Sequence, residues 1–380
     1  MLLGIKTKLD LSINQKVLMS KHAGIRRFTF NWGLATWQEL YKSGCKFNYR
    51  TLRTFFNKYI KAEYTWIKEK GICQKITEFA FEDLNAAFGR FFKKQANYPS
   101  FKKKGKNDSF TLRVRQFAYA GEPVHRNWLT INCGGKPMPF GGRSIKLPTI
   151  GWVKLYESLP HGTTSKVTIS RIADDWYISF TYNQKKPEGI QSKIDAVGID
   201  LGVKTLATLS SGVIFDNAKY LRSNLKKLAR NMRQLARKEY GSSNRNKLKI
   251  KLQRMYRRIA FLRKDLLHKI THYICKNHAK IVVEDLNVSG MLSNGNLALS
   301  ISDCGFYEFK RQLEYKCKKF NSQLIIAPRW FASSKICSTC GHKHENLTLK
   351  DRVYECLNCG LKIDRDLNAA LNLAKLAYSI

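Results

Sequence analysis

Carboxylates are scarce in this chain. Its 380 residues hold 28 Asp and Glu against 68 Lys and Arg, a formal net charge of +40 at pH 7. Like charge of that size opposes compaction unless an anion neutralises it. Long apolar runs are also missing. None reaches the roughly 18 residues of a membrane span, which argues against a spanning helix. The opening "MLLGIKTKLD" is interrupted by Lys6 and Lys8, so it does not read as a signal peptide. Nothing repeats at a period of about 20 to 50 residues, which argues against solenoids and propellers. Six of the ten cysteines (Cys45, Cys73, Cys133, Cys275, Cys304, Cys317) follow no paired spacing. In a reducing, cytosolic setting they read as small core residues and not as disulfides.

What is present points to a globular protein. Hydrophobic residues make up 43% of the chain and aromatic ones 12%, enough to bury real cores in two or three domains. The usual polyanion for a basic intracellular protein is nucleic acid. A ribosome-like structural binder and a basic membrane-surface protein are the blander alternatives.

Residues 1 to 9 read as a strand, and 13 to about 95 as mostly helical and aromatic. "NYPSFKKKGKNDS" then breaks the pattern with loop chemistry. After it the period becomes two: in "SFTLRVR", Phe110, Leu112 and Val114 alternate with Arg113 and Arg115. "WLTIN", "SIKLP", "WVKLYE", "SKVTISRI" and "DWYISFTYN" follow at short spacing. Short strands with such turns predict a small antiparallel barrel or sandwich, with the first strand in it and the helical block inserted. Lys102, Lys103, Lys104, Arg113 and Arg115 are candidate backbone contacts to nucleic acid, or simply a solvated basic face.

"QKKPEGIQSKID", residues 184 to 195, reads as a linker into a third region. "AVGIDLGVKTLATLSSGVIFDN" predicts three strands. Two helices follow, with apolar seams at Leu221, Leu225, Leu228, Met232 and Leu235, and at Leu248, Leu252, Met255, Ile259, Leu262 and Leu266. Steps of four and three predict a packed hairpin. Its outer faces carry Lys226, Lys227, Arg230, Arg233, Arg254, Arg257 and Arg258, with only Glu239 and Asp265 to offset them. A solvated face normally mixes signs, so this single-signed one reads as a phosphate-backbone surface. "AKIVVEDLNV" is a buried strand ending in acid, "YEFKRQLEYKCKKF" an amphipathic helix and "SQLIIAP" another strand. Strands alternating with helices predict a mixed α/β sheet.

Asp200 follows "AVGI" and Glu284 ends "IVV", each at an otherwise apolar strand position. Either alone could be a strand-end acid in solvent or the partner of an arginine. Together with Asp364 and Asp366, at the start of the last helix, they form another pattern. Carboxylates from two strands and a helix are what a two-metal Mg²⁺ site requires, each ion taking one or two carboxylates plus substrate phosphate oxygens. Asp285 should face the other side of the sheet, because side chains alternate along a strand. "CSTC" and "CLNC" place Cys337, Cys340, Cys356 and Cys359 as two C-x2-C pairs with fifteen residues between them. That spacing is a four-Cys zinc pattern, and four thiolates close the site, so the zinc is structural.

Taken in order, "GIDLGVKTLATLS", "IVVEDLNV", "PRWFASSKICSTCG", "LTLKDRVYECLNCG" and "DRDLNAALNL" resemble the successive signatures of the TnpB family. "RRFTFNWGL" and "YPSFKKKG" resemble its N-terminal half more weakly, so the resemblance covers essentially the whole chain. It implies a multidomain α+β fold. A wedge-like β-barrel (1–12 and 108–187) would carry a helical recognition insertion (13–107). A RuvC-like nuclease domain of the RNase H type (188–380) would be interrupted by the zinc ribbon (331–363). The implied activity is RNA-guided, Mg²⁺-dependent cleavage of double-stranded DNA beside a short transposon-adjacent motif, with a guide RNA from the transposon end. The implied setting is a prokaryotic cytoplasm, at the nucleoid. A guided DNA-binding regulator that does not cut, and a transposase-type strand-transfer accessory, are the alternatives. By motif, the catalytic carboxylates are Asp200, Glu284 and an aspartate of "DRDLNAA". Helix geometry leaves Asp364 and Asp366 equally near the apolar stripe, and either could cap the helix. The family pattern, an acid two before Asn, selects Asp366.

Overall fold

The structure, a computed structural model, describes residues 2–113, 117–119, 129–132, 144–157, 166–183, 194–348 and 351–378. Arg115 and most of the expected 184–195 linker lie outside these residues. The chain divides into two compact units, Met1–Lys185 and Lys186–Ile380.

In the first unit β1 (Leu2–Asp10) leads into α1 (Ile13–Lys42). A capping box starts the helix: Ser12 Oγ accepts from Gln15 N–H, and Gln15 Oε1 accepts from Ser12 N–H. α2 (Tyr49–Phe55) runs through one wide turn into α3 (Lys61–Glu63), and α4 (Ile76–Phe92) packs along α1. Gly33 lets the two helices approach, since a Cβ there would lie 3.0 Å from Leu84 and 3.1 Å from Phe81. Seven strands follow: β2 (Ser109–Arg113), β3 (Phe117–Tyr119), β4 (Leu129–Asn132), β5 (Ser144–Leu147), β6 (Gly151–Leu155), β7 (Lys166–Ile172) and β8 (Asp175–Asn183). With β1 they form one eight-stranded sheet, order β2-β7-β8-β1-β6-β5-β4-β3. Every ladder is antiparallel except β3–β4. The first strand joins the later ones and the helices are inserted, as the change of period predicts. β1 pairs with β8 over Leu2–Lys8 and with β6 over Leu9–Asp10, so it links the two halves of the sheet. Among the described residues no ladder joins the outer strands β2 and β3.

The second unit opens with β9 (Ile194–Leu201), β10 (Thr205–Leu209) and β11 (Ile214–Asp216). The hairpin α5 (Tyr220–Ala236) and α6 (Ser243–Asn277) leads to β12 (His278–Glu284). Two short helices, α7 (Val288–Ser293) and α8 (Ala298–Cys304), precede α9 (Phe306–Phe320) and β13 (Gln323–Ala327). The last elements are β14 (Val353–Glu355), β15 (Lys362–Asp364) and α10 (Arg365–Lys375). The sheet order is β11-β10-β9-β12-β13, with β9, β12 and β13 parallel and the other two strands antiparallel. Alternation divides its faces. Val197, Ile199, Ile281 and Val283 pack on α6 and α9 through Leu267, Ile270, Phe309 and Leu313. Ala196, Val282, Ile325 and Ala327 pack on Leu373 of α10.

The α5–α6 seam is shorter than its heptad pattern predicts. Leu228, Leu252 and Ile259 are buried, with Leu221, Leu235 and Met255 against them. Met232 is half exposed. Its neighbour Asn231 faces inward instead, donating to Lys227 O at 2.7 Å and reaching Met255 Sδ at 3.6 Å. A helix of 3.6 residues per turn drifts from a 3.5-residue repeat, and here a buried amide takes the place the pattern assigns to Met232.

Candidate active site

Three strand residues decide the geometry. Ala196, Gly198 and Asp200 share one face of β9 by period two. α10 lies directly on Gly198: a Cβ there would stand 2.0 Å from Ala370 O and 2.4 Å from Ala374 N. Asp366, one turn before Ala370, is thereby carried over the end of β9. Glu284 ends β12 on the same face as Val282. Asp200, Glu284 and Asp366 line one cleft of about 290 Å³ at the carboxyl ends of the parallel strands, with Lys204, Arg352 and Arg365 on its walls.

The cleft disfavours negative charge in the absence of a cation. Burial, then the charges of Glu284 and Asp366, push the Asp200 carboxyl up to about 8. Burial also raises Glu284, against a hydrogen bond from Ser333 Oγ at 2.5 Å. Hard oxygen donors that cannot all ionise by themselves suit a divalent cation, which removes the repulsion. The three acids are not clustered around a single point. Among the described residues, the only set of three or more His, Cys, Asp or Glu ligand atoms within 4.8 Å of one another is that of the four cysteines. A two-ion site, whose ions stand about 3.5–4 Å apart, needs the wider spacing.

Asp364 does something else. It is the N-cap of α10, its Oδ1 accepting from Asp366 N–H and Leu367 N–H at 3.0 Å each. Asp285 leaves the cleft and binds Lys310 at 3.0 Å and Arg329 at 2.6 Å, which hold its carboxyl below the usual range.

The four cysteines form the compact cluster that their spacing predicts. Cys337 and Cys359 Sγ are 3.6 Å apart, and Cys340 and Cys356 Sγ 3.5 Å. A disulfide needs about 2.05 Å. A tetrahedron with metal–sulfur distances near 2.3 Å has edges of about 3.8 Å, so the donors fit zinc. Each pair sits in the same knuckle. Gly341 N–H bonds Cys337 O and Gly360 N–H bonds Cys356 O, both at 3.0 Å, with φ of +75° and +72° at the glycines. The buried Tyr354 packs against Cys337 and Cys356, and its hydroxyl donates to His342 O or Lys335 O beside the first pair, at 3.2 and 3.3 Å.

Two residues missed in the sequence tie this cluster to α10. Buried Asn368 donates to Ile336 O at 2.7 Å and accepts from Ser338 N–H at 2.9 Å. Buried Asn372 donates to Ile336 O at 2.6 Å and Ser333 O at 2.8 Å, and Lys375 Nζ donates to Ser338 O. The first knuckle therefore rests on the helix that carries Asp366. Asparagines in the interior of an amphipathic helix carry no local signal for this; only the "DRDLNAALN" pattern marks them.

The candidate nucleic-acid residues separate. Lys226, Lys227, Arg230 and Arg233 on α5 and Arg254 and Arg258 on α6 are exposed, and Arg257 is half-buried. Lys103 and Lys104 are exposed in their loop. Lys102 is held in place: its Nζ lies 4.1 Å from the centre of the Phe30 ring, and its backbone exchanges two hydrogen bonds with the Asn31 side chain. Arg113 ends β2, and Arg115 lies outside the described residues.

Comparison with known proteins agrees with this architecture. Residues 179–295 match a family model described as "Probable transposase", and 306–373 one described as "Cas12f1-like, TNB domain". The chain is 33% identical to the "Putative RNA-guided DNA endonuclease InsQ" of Escherichia coli (strain K12), over 96% of this chain and 90% of that one. It is 35% identical to a "Putative RNA-guided DNA endonuclease" of Streptomyces pristinaespiralis, over 77% and 69%. The chain belongs to the TnpB family. More distant TnpB-family matches include "TnpB-like protein L770" of Acanthamoeba polyphaga mimivirus, at 26% identity over 63% of this chain and 48% of that one. Among solved structures, the Cas12f1 chain of the "Cryo-EM structure of the Cas12f1-sgRNA-target DNA complex" shares the fold. The TM-score is 0.58 at 15% identity, covering 96% of this chain and 83% of that one. Residues 1–46 match a model described as "Helix-turn-helix domain". In this TnpB-family chain they form β1 and the single continuous helix α1.

Proposed function

We propose that this chain is an RNA-guided DNA endonuclease that hydrolyses phosphodiesters in a two-Mg²⁺ site. The observation that carries the reading is the convergence of Asp200, Glu284 and Asp366 on one cleft in a chain of net charge +40. The relatives named as RNA-guided DNA endonucleases support it. Asp200, Glu284 and Asp366 would hold the ions, which supply an activated water and a stabilised leaving oxygen. Ser333 orients Glu284. Lys204, Arg352 and Arg365 on the cleft walls offer charge to the phosphate oxygens. Cys337, Cys340, Cys356 and Cys359 would hold a structural zinc.

In this reading the sheet around β1 closes as a wedge-like barrel (1–12 and 108–187), and 13–107 is its recognition insertion. Residues 188–380 are a RuvC-like domain of the RNase H type, with 331–363 as the inserted ribbon. The guide RNA comes from the transposon end, and base pairing reads the target while the protein reads a short adjacent motif. Lys103, Lys104, Arg113, Arg115 and the basic residues of α5 and α6 contact phosphates. Lys102, pinned on Phe30, shapes the loop. The protein works in a prokaryotic cytoplasm, at the nucleoid.

The test is purification with bound RNA, sequencing of that RNA, and incubation with matched double-stranded DNA. Cutting is expected in Mg²⁺, and none with Asp200→Ala, which still binds target. Wild type that binds the matched target as Asp200→Ala does, and cuts nothing in Mg²⁺, would remove the enzyme reading in favour of a guided DNA-binding regulator.

A further inference from the structure

A second cleft adjoins the acid cleft. Leu201 and Glu284 line both. This neighbour measures about 480 Å³, the size of a small-ligand pocket. Leu286, Val288 and Phe306 line it among its apolar residues, and Phe306 is only 2% exposed because it also packs into the core. The next residue, Tyr307, lines the same cleft yet is 71% exposed. Polar residues such as Asn287, Ser289 and Glu314 also line the cleft, but an aromatic ring left at the rim beside its apolar part is a stacking surface.

The cations that line this cleft, Lys310, Arg311 and Arg329, are paired. Asp285 holds Lys310 and Arg329, and Glu308 holds Arg311 through two bonds of 2.7 Å. Matched cations make a poor phosphate site, whereas an apolar floor beside an exposed ring suits a flat, uncharged group. The acid cleft next door would hold the phosphate, and a base lies one sugar away from its phosphate. We infer that this second cleft receives the nucleobase of the nucleotide adjoining the scissile phosphate, stacked on Tyr307. Stacking accepts any base, because every base has a π-face. Tyr307 is thus a positioning residue that sets which phosphate meets the acids. The inference rests on the nuclease reading above.

The test uses the full chain with its guide RNA and matched targets carrying one abasic (tetrahydrofuran) residue at successive positions around the cut. In wild type, one position next to the cut should slow cleavage about tenfold, in the range of one lost stack, with target binding unchanged. Tyr307→Ala should cut the intact target about tenfold slower and show no further loss at that position. Tyr307→Phe, which keeps the ring, should restore the sensitivity. A flat abasic scan in wild type, or a Tyr307→Ala protein that keeps the position-specific loss, overturns the base pocket while leaving the nuclease reading intact. A wild type that cuts no target overturns both.

Discussion

Asp200 and Gly198 stand two residues apart on one strand face, and one residue's lack of a side chain determines the other's surroundings. With no Cβ at Gly198, α10 settles on β9 and brings Asp366 over Asp200. The result is a half-buried acid beside two others, which the folded protein stabilises poorly when no cation is bound. The sign follows from linkage. The folded-state pKa of about 8 lies above the ordinary carboxyl value, so the folded chain holds a proton that the unfolded chain has already lost. Without Mg²⁺, this group's contribution is best below about pH 4 and is lost as pH rises toward 8. Asp200→Asn removes that cost along with the proposed metal ligand. In Mg²⁺-free buffer at pH 8 the variant should melt at least about 3 °C above wild type, corresponding to about 1 kcal/mol. The gap should close toward pH 4, and the variant should not cut. Thermal melts across the pH range check this. An Asp200→Asn protein that melts below wild type at pH 8 would show that the carboxylate is not under strain.

At the scale of elements, α10 joins two functions that sit side by side in the sequence. Its N-cap is Asp364, its first turn carries Asp366, and its interior amides hold the first cysteine knuckle. Zinc binding and cutting should therefore separate by mutation. Cys340→Ser should lose both zinc and cutting, because a thiolate ligand is gone. Asn372→Leu should keep one zinc per chain. It leaves the Ser333 carbonyl without its Asn372 partner and weakens the hold on Ile336, a loss of about 1–3 kcal/mol. Cutting should fall with Asp366 less firmly placed. Zinc content by mass spectrometry, read beside the cleavage rate, distinguishes the two. Full cleavage by Asn372→Leu would mean that the knuckle does not set the helix.

At the scale of the whole molecule, a net charge of +40 favours a polyanionic partner. Most basic residues of α5 and α6 project away from the short seam around Leu228, Leu252 and Ile259. Replacing Lys226 and Arg230 with alanine should weaken guide-RNA binding and reduce the slope of log K against log salt by about 0.7–0.9 for each phosphate that is no longer neutralised. The melting temperature should stay unchanged, since both side chains are exposed. An unchanged slope in a salt titration would place the RNA elsewhere.

The legible part was local. Period two and period 3.6 marked β9, β12 and α9, and the C-x2-C spacing marked the four-cysteine cluster, because each rests on neighbours a few residues apart. Asp200 and Glu284 stood out as acids in apolar strands. The amino-acid sequence by itself therefore determined the element types, the excess positive charge and the donor chemistry. Only the tertiary structure decided that Gly198 is a landing site for α10, that Asn231 and not Met232 faces the hairpin seam, and that the Asp364 carboxylate is spent on capping α10. It also decided that Tyr307 stands at the rim of a second cleft. These depend on contacts between residues distant in the chain or on the rotation of a packed helix. Close packing selects one such arrangement, and no local pattern encodes it.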